Sequence, residues 1–190
     1  MRGQRAPPPV PLVDTKALPL PPLDGDLERG KHDGLLGYLA GTDRQVTTTA
    51  DSGAQAPAVS LRCASLGWRE QERLADTSGD PSKARALTGC ERMPVPQRFY
   101  GFKGPEGDHE EVDIVGELGI RLDGAHADTG EPMSVEVVIP QCRVCPVQED
   151  DILLADPILK DLKWELGRDS IIFHELGKIR VPLSTAVKPW

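Results

Sequence analysis

Two stretches in the second half of the chain alternate between apolar and polar residues, and this alternation restricts the fold most. The first stretch has apolar side chains at even positions, namely Val112, Ile114, Leu118, Ile120 and Leu122. The second covers residues 133–139. A period of two places alternate side chains on one face of a strand. Because residues 123–131 between them contain turn-forming Gly and Asp, the pattern predicts a β-hairpin whose second strand ends at Pro140.

Shorter apolar segments predict further strands. In chain order they are residues 35–40, 44–50, 99–102, 152–154 and 171–173. Residues 41–43 form a turn that makes the first two segments a hairpin, and Gly and Pro at residues 104–107 form the turn after the third. Residues 59–68 predict one more short strand followed by a turn.

Helical signals are few. Asp156 as N-cap and Pro157 at the first helical position predict one short helix. The mostly polar residues 69–90 predict an exposed insertion with about one helical turn at residues 70–74.

The composition agrees with a mainly β class. Of 190 residues, 38% are apolar and only 4% aromatic, and 19 Gly and 18 Pro favour short elements separated by turns. The length suits one core. We expect a disordered Pro-rich linker at residues 1–33, with a docking motif for an aromatic groove left open, a folded domain at residues 34–178 and a C-terminal tail at residues 179–190.

Charge and hydropathy argue against several partners. The formal net charge is -8, and no Lys/Arg cluster predicts a basic groove, so nucleic acid is not expected as a direct ligand. The chain lacks the roughly 18 consecutive apolar residues of a membrane span and the apolar core of a signal peptide. We therefore expect an intracellular, cytoplasmic protein without membrane contact.

The cysteines and histidines do not predict a metal or cofactor site. Cys142 and Cys145 have a spacing that zinc sites use, but no second pair completes four ligands. We interpret them as small side chains beside a strand. The histidines lie apart, without metal-type spacing, at His32, His109, His126 and His174.

The tetrapeptide Asp-Ser-Gly-Ala at residues 51–54 directly follows the β-branched segment 44–50. It places Asp51 at the exit of a hairpin, where a carboxyl group is well placed for catalysis, although the same residues also suit an ordinary turn. A second Asp-Thr-Gly occurs at residues 128–130. Since Gly and Pro surround it and no apolar strand precedes it, we interpret it as a hairpin turn.

This tetrapeptide, together with the later segment Asp-Ile-Leu-Leu-Ala-Asp-Pro-Ile-Leu at residues 151–159, resembles the retroviral and retrotransposon aspartic protease (retropepsin) family. The resemblance covers about residues 35–173. It implies a small, closed, β-barrel-like fold with one short helix. In that family Gly usually follows the apolar residues of the second segment, and Ala155 stands in its place here.

The resemblance also implies an activity and a site. Asp51 would be the catalytic residue of a homodimeric endopeptidase that cleaves peptides or a polyprotein, and the aspartates of two subunits would share one water. The active-site loop would contain Ser52, Gly53 and Ala54, with Ser52 bonding across the dimer. The candidate flap over a bound peptide includes Tyr100, Gly101 and Phe102.

Two other hypotheses remain. The chain could be a protease-like fold without activity that serves as a dimerisation or peptide-binding module, which Ala155 and the insertion at residues 69–90 would favour. An unrelated small β domain is the other. This last hypothesis is separated from the others by whether Asp51 lies near Leu154 and a two-fold interface.

Overall fold

The computed structural model of the chain describes residues 12–13, 34–79, 90–104, 107–145 and 151–183. In these ranges the strands are β1 (Leu12–Val13), β2 (Leu35–Leu39), β3 (Gln45–Asp51), β4 (Ala58–Ser60), β5 (Cys90–Gly104), β6 (Gly107–His126), β7 (Pro132–Cys145), β8 (Ile152–Ala155), β9 (Trp164–Leu166), β10 (Ser170–Phe173) and β11 (Ile179–Pro182). The helices are α1 (Leu61–Ser78) and α2 (Asp156–Asp161), and a 3₁₀ turn covers His174–Leu176.

Six strands close into a barrel. The hydrogen-bonded order β2–β3–β8–β4–β7–β6 returns to its start because β6 also pairs with β2. Closure leaves no open edge within the ring, so the backbone groups of each of its strands have partners on both sides. On the other side of β6, the sheet continues through β11, β10 and β9. The predicted mainly β class with a closed barrel is confirmed.

Strand β8 lies between two strands that are neighbours in the sequence. It runs parallel to β3 and antiparallel to β4. The loop from β3 to β4, residues 52–57, must therefore pass over the end of β8. Strand β8 therefore fixes both ends of the loop that follows Asp51, because it pairs with β3 before the loop and with β4 after it.

The alternating stretches form the wall of the core. Leu118, Ile120 and Leu122 on β6 are at most 1% exposed and pack with Ile139 of β7 and Leu35 of β2. Period-two burial of this kind is what a sheet with one apolar face requires. The predicted hairpin of β6 and β7 is confirmed.

Strand β7 is longer than predicted. It does not end at Pro140 but continues to Cys145. Gln141 has a positive φ of 52°, and the pairing with β6 shifts register between Gly116 and Leu118. A bulge adds a residue to one strand without ending it, so the strand accommodates Pro140 and goes on.

Helix α1 corrects the prediction for residues 59–90. The predicted strand and exposed insertion are replaced, over residues 61–78, by an 18-residue helix. The Ser60 hydroxyl caps it by accepting a hydrogen bond from the Cys63 amide at 3.1 Å, and Gly79 ends it with φ 65°. Residues 80–89 lie outside the described residues.

The helix packs closely on the barrel. A Cβ at Gly67 would lie 3.0 Å from Leu118 and 3.2 Å from Leu39, so only Gly allows this approach without displacing a neighbour. Next to it, Trp68 is fully buried, and its indole N–H donates to the Glu117 carbonyl at 2.6 Å. Helix α1 therefore belongs to the core.

The C-terminal boundary also differs from the prediction. The expected tail begins at residue 179, but Ile179 and Val181 of β11 are fully buried, and β11 pairs with β10 and β6. Residues 184–190 lie outside the described residues. So does the expected linker at residues 1–33 except for β1, whose Leu12 and Val13 pair with β5.

Thr48 provides a first testable prediction. Its side chain is fully buried on β3, and its hydroxyl has no hydrogen-bond partner among the described residues. An unsatisfied buried hydroxyl costs stability, and Val has nearly the same shape without that group. Thr48→Val is therefore expected to raise the free energy of unfolding by about 1 kcal/mol, measured by urea denaturation.

The matched control is Val46→Thr, two residues earlier on the same face and 1% exposed. This variant should lose stability, because it introduces a hydroxyl into the same core. Equal or lower stability for Thr48→Val would contradict the prediction.

Candidate active site

Asp51 is the last residue of β3, and its backbone is held by the neighbouring strand. It lies opposite Ala155 in the parallel pairing of β3 and β8, and Leu154 pairs with Ala50 beside it. The side chain of Asp51 is half-buried. The proximity of Asp51 to Leu154, one of the two features that separate the third hypothesis from the others, is therefore present.

Local hydrogen bonds orient the Asp51 carboxyl group. The amide of Gly53 donates to Asp51 Oδ1 at 2.8 Å, and the amide of Ala54 donates to the Asp51 carbonyl at 3.2 Å. A Cβ at Gly53 would lie 3.2 Å from the same Oδ1, so the turn favours Gly there. The loop residues Ser52 and Gly53 are exposed, so the loop next to the Asp51 carboxyl group is accessible to solvent.

The loop is also tied to the start of α2. The Asp156 amide donates to the Ala54 carbonyl at 2.9 Å. Ala155 serves as N-cap residue of α2, one position before the predicted Asp156, and Pro157 lies in the first turn. The two segments that carry the family resemblance therefore contact each other directly.

Ala155 fits this position without backbone strain. It is fully buried and has φ -83° and ψ 162°, an extended conformation that any L-residue adopts. Ala155→Gly is expected to lower the free energy of unfolding by about 0.5 to 1 kcal/mol, because Gly loses more entropy on folding and leaves a small void. Guanidinium denaturation measures this change, and a more stable Gly variant would show that the methyl group is strained.

Strands β5 and β6 form a hairpin that extends beyond the barrel. Val115 and Gly116 of β6 pair with both β5 and β7, whereas residues 107–114 pair, among the described residues, with β5 alone. The flap candidates Tyr100, Gly101 and Phe102 lie in this arm, where the structure describes their backbone only. The turn residues 105–106 lie outside the described residues.

A small apolar cluster joins the base of this arm to the strands around Asp51. Val112 and Phe99 of the arm pack with Ala58 of β4, Leu153 of β8 and Cys145 of β7. Leu153 lies two residues before Ala155, and Ala58 directly follows the loop that starts at Asp51. The arm therefore begins beside the Asp51 loop.

The other candidate carboxyl groups have cationic partners. Asp156 Oδ2 lies 2.6 Å from Lys160 Nζ, and Asp128 Oδ2 lies 3.1 Å from Lys178 Nζ. The hydrogen bond from Lys178 lowers the pKa of Asp128. Residues 127–129 form the turn between β6 and β7, which confirms the turn interpretation of that second motif.

The cysteine pair is part of the core. Cys142 and Cys145 are fully buried on β7, and burial raises the pKa of Cys142 to about 12. A thiol of this kind stays protonated at neutral pH and is a poor metal ligand or nucleophile. In the described parts of the chain, three or more His, Cys, Asp or Glu side chains do not come together in a metal-binding arrangement.

Asp151 is a buried acid next to β3 that the sequence did not single out. It is 3% exposed, and its Oδ2 accepts a hydrogen bond from the Thr47 amide at 2.7 Å. Buried acids are rare and normally have specific partners. The available signal was an acid placed directly before a buried apolar strand.

Comparisons with known proteins find similarity among solved structures. The chain matches no protein-family model and no curated protein. Among solved structures it is similar to the retroviral protease-like domain of Ddi1 from Leishmania major, with a TM-score of 0.38 and 14% identity, over 84% of this chain and 95% of that chain. In addition, none of the helices in the described ranges has the length and apolar character needed to cross a membrane.

Proposed function

We propose that the protein is an aspartic endopeptidase whose active site forms between two copies of the chain. The observation that supports this most is the position of Asp51. Its carboxyl group is oriented by the Gly53 amide at an accessible loop, while the strand behind it is fixed by pairing with Ala155. Orientation on a rigid support is what general acid–base catalysis requires.

Peptide hydrolysis needs two carboxyl groups in different protonation states. An ionised carboxylate removes a proton from water, whose oxygen attacks the peptide carbonyl, while a neutral carboxyl group donates a proton to the carbonyl oxygen. When the tetrahedral species collapses, the C–N bond breaks and the leaving nitrogen takes the proton that the first carboxyl group gained from water. The second carboxyl group recovers its proton from a hydroxyl on the carbon, so the pair returns to its starting state. Two carboxyl groups close together share one proton, because both cannot ionise at once.

A second chain is the proposed source of the second carboxyl group. Asp128 and Asp156 already pair with lysines, so Asp51 is the better candidate in this chain. In a two-fold symmetric dimer, the same loop meets itself and brings Asp51 of both copies together. Ser52 is exposed in the single chain, and in the proposed dimer it would bond across that axis.

The hairpin arm of β5 and β6 is the proposed flap. Its base packs on Ala58 and Leu153 next to the Asp51 loop. An extended peptide would bind as an added strand between the arm and the loop, and closing the arm would exclude water. A polyprotein segment with an extended cleavage site is the proposed substrate.

The test is cleavage of a mixed peptide library at pH 4 to 7, together with sedimentation analysis of the oligomeric state. We expect a dimer that cleaves peptides and is inhibited by a general transition-state inhibitor of aspartic proteases. A folded dimer that cleaves nothing would overturn the proposed activity and favour the inactive module. Cleavage by a strict monomer would overturn the shared site.

A further inference from the structure

Asp151 lies between the two strands that flank the Asp51 loop. Strand β3 leads into the loop, and strand β4 follows it. Asp151 directly precedes β8, the strand that lies between β3 and β4 in the sheet. Its side chain is 3% exposed, so its polar atoms must find partners inside the protein.

Asp151 forms hydrogen bonds with both β3 and β4. Its carboxyl Oδ2 accepts a hydrogen bond from the Thr47 amide of β3 at 2.7 Å, and its main-chain carbonyl accepts one from the Ser60 amide of β4 at 2.9 Å. The backbone pairing of β3 and β8 begins only at Thr48 and Ile152. The side chain thus extends the attachment of β3 by one residue.

The same carboxyl group lies beside the start of α1. Burial raises the pKa of the Cys63 thiol well above its usual value, and the nearby negative charge of Asp151 raises it further. Cys63 is in the first turn of α1, where its amide binds the Ser60 hydroxyl. Asp151 therefore lies where β3, β4 and α1 meet.

We propose that Asp151 is a positioning residue that sets the geometry of the Asp51 loop. Thr47 lies four residues before Asp51 on one continuous strand, and Ser60 lies three residues after the last loop residue, Pro57. Because Thr47 and Ser60 both bind Asp151, the distance between β3 and β4 is fixed. This distance in turn sets the orientation of the Asp51 carboxyl group. The proposed catalytic role of this loop rests on the function proposed above.

The test compares three variants. Asp151→Ala removes the acceptor for the Thr47 amide, whereas Asp151→Asn keeps an acceptor oxygen in the same place. Val181→Ala on β11 is the stability control, because Val181 is fully buried but lies on a strand outside the closed ring. If Asp151→Ala does not fold, Asp151→Ser replaces it, since the serine hydroxyl is one bond shorter than the carboxyl group.

Two readouts separate positioning from stability. The first is kcat per active site, counted by titration with a tight-binding inhibitor, so that unfolded molecules do not contribute. The second is hydrogen exchange of the Gly53 amide, which donates to Asp51 Oδ1. This second readout needs no activity, so it tests the proposal even if the protein cleaves nothing.

In Asp151→Ala we expect kcat per site to fall about tenfold or more and Gly53 exchange to accelerate about tenfold. Asp151→Asn should stay within about threefold of the wild type in both readouts, because the acceptor is retained. Val181→Ala should lower the melting temperature without changing kcat per site or the exchange rate of the Gly53 amide. The proposal would be overturned if Asp151→Ala kept the wild-type kcat per site and the wild-type exchange rate of the Gly53 amide. It would also be overturned if Val181→Ala changed both quantities as much as Asp151→Ala does.

Discussion

Asp51→Asn is expected to lower kcat/KM for peptide cleavage by about 10² to 10⁴-fold, because a site without an ionisable carboxyl group cannot take the proton from water. The fold should persist, since the amide oxygen of Asn can still accept the hydrogen bond from Gly53. Peptide cleavage and circular dichroism measure the two effects. Asp169→Asn, at an exposed position, is the matched control and should keep full activity.

Mixing the two proteins tests whether the site is shared. If each active site needs Asp51 from two copies, adding a threefold excess of Asp51→Asn chains should lower the activity of a fixed amount of wild-type protein about fourfold, because random pairing leaves few wild-type pairs. The mixture must exchange subunits before the assay. Unchanged activity after full exchange would show that each chain acts alone.

Trp68→Ala is expected to have the largest effect on stability. Trp68 is fully buried, and its removal leaves a large cavity between α1 and the barrel and an unpaired Glu117 carbonyl. The expected loss is about 3 to 5 kcal/mol in the free energy of unfolding. Because domains are commonly stable by only about 5 to 15 kcal/mol, this variant should unfold at much lower denaturant concentration.

Two further variants make the Trp68 result specific. Trp68→Phe keeps an aromatic ring but removes the N–H donor to Glu117, so it should lose about 1 to 3 kcal/mol. Leu166→Ala, at a position 61% exposed, should change stability by no more than about 0.5 kcal/mol. A loss for Trp68→Ala as small as that for Leu166→Ala would show that α1 is not part of the cooperative core.

The sequence predicted the hairpin of β6 and β7 because local pattern and final burial agree there, whereas the closed barrel followed from the family resemblance. Leu118, Ile120 and Leu122 alternate with polar residues, and they are buried because one face of β6 lines the core. Strand β11 was missed because Ile179 and Val181 provide only two such positions, next to the charged residues Lys178 and Arg180. Two alternate positions are too few to distinguish a strand from a tail.

Helix α1 was missed because polarity was given more weight than capping and spacing. Ser60 is a favourable N-cap residue, and Ala64 and Trp68 lie four residues apart on a buried face. These signals together predict a helix start and an apolar side. The polar residues that suggested an exposed insertion belong to the later turns of the same helix.

For the site, the sequence predicted which residues belong to the loop but not how they are held. Asp51 and Gly53 were identified from their type and order, and the hydrogen bond between them is local. The contacts of Asp151 with Thr47 and Ser60 depend on which strands become neighbours in the sheet. A pattern within a short window has no information about that choice.

The insertion of β8 between β3 and β4 sets the order in which the protein can be completed during its synthesis. Thr47 and Asp151 are 104 residues apart, and a ribosome adds that length in about 5 to 20 s. During this interval β3 and β4 each have an open edge, which can pair with other chains. Long-range pairing of this kind also slows folding. The Asp51 loop is therefore among the last parts of the chain to take its final form.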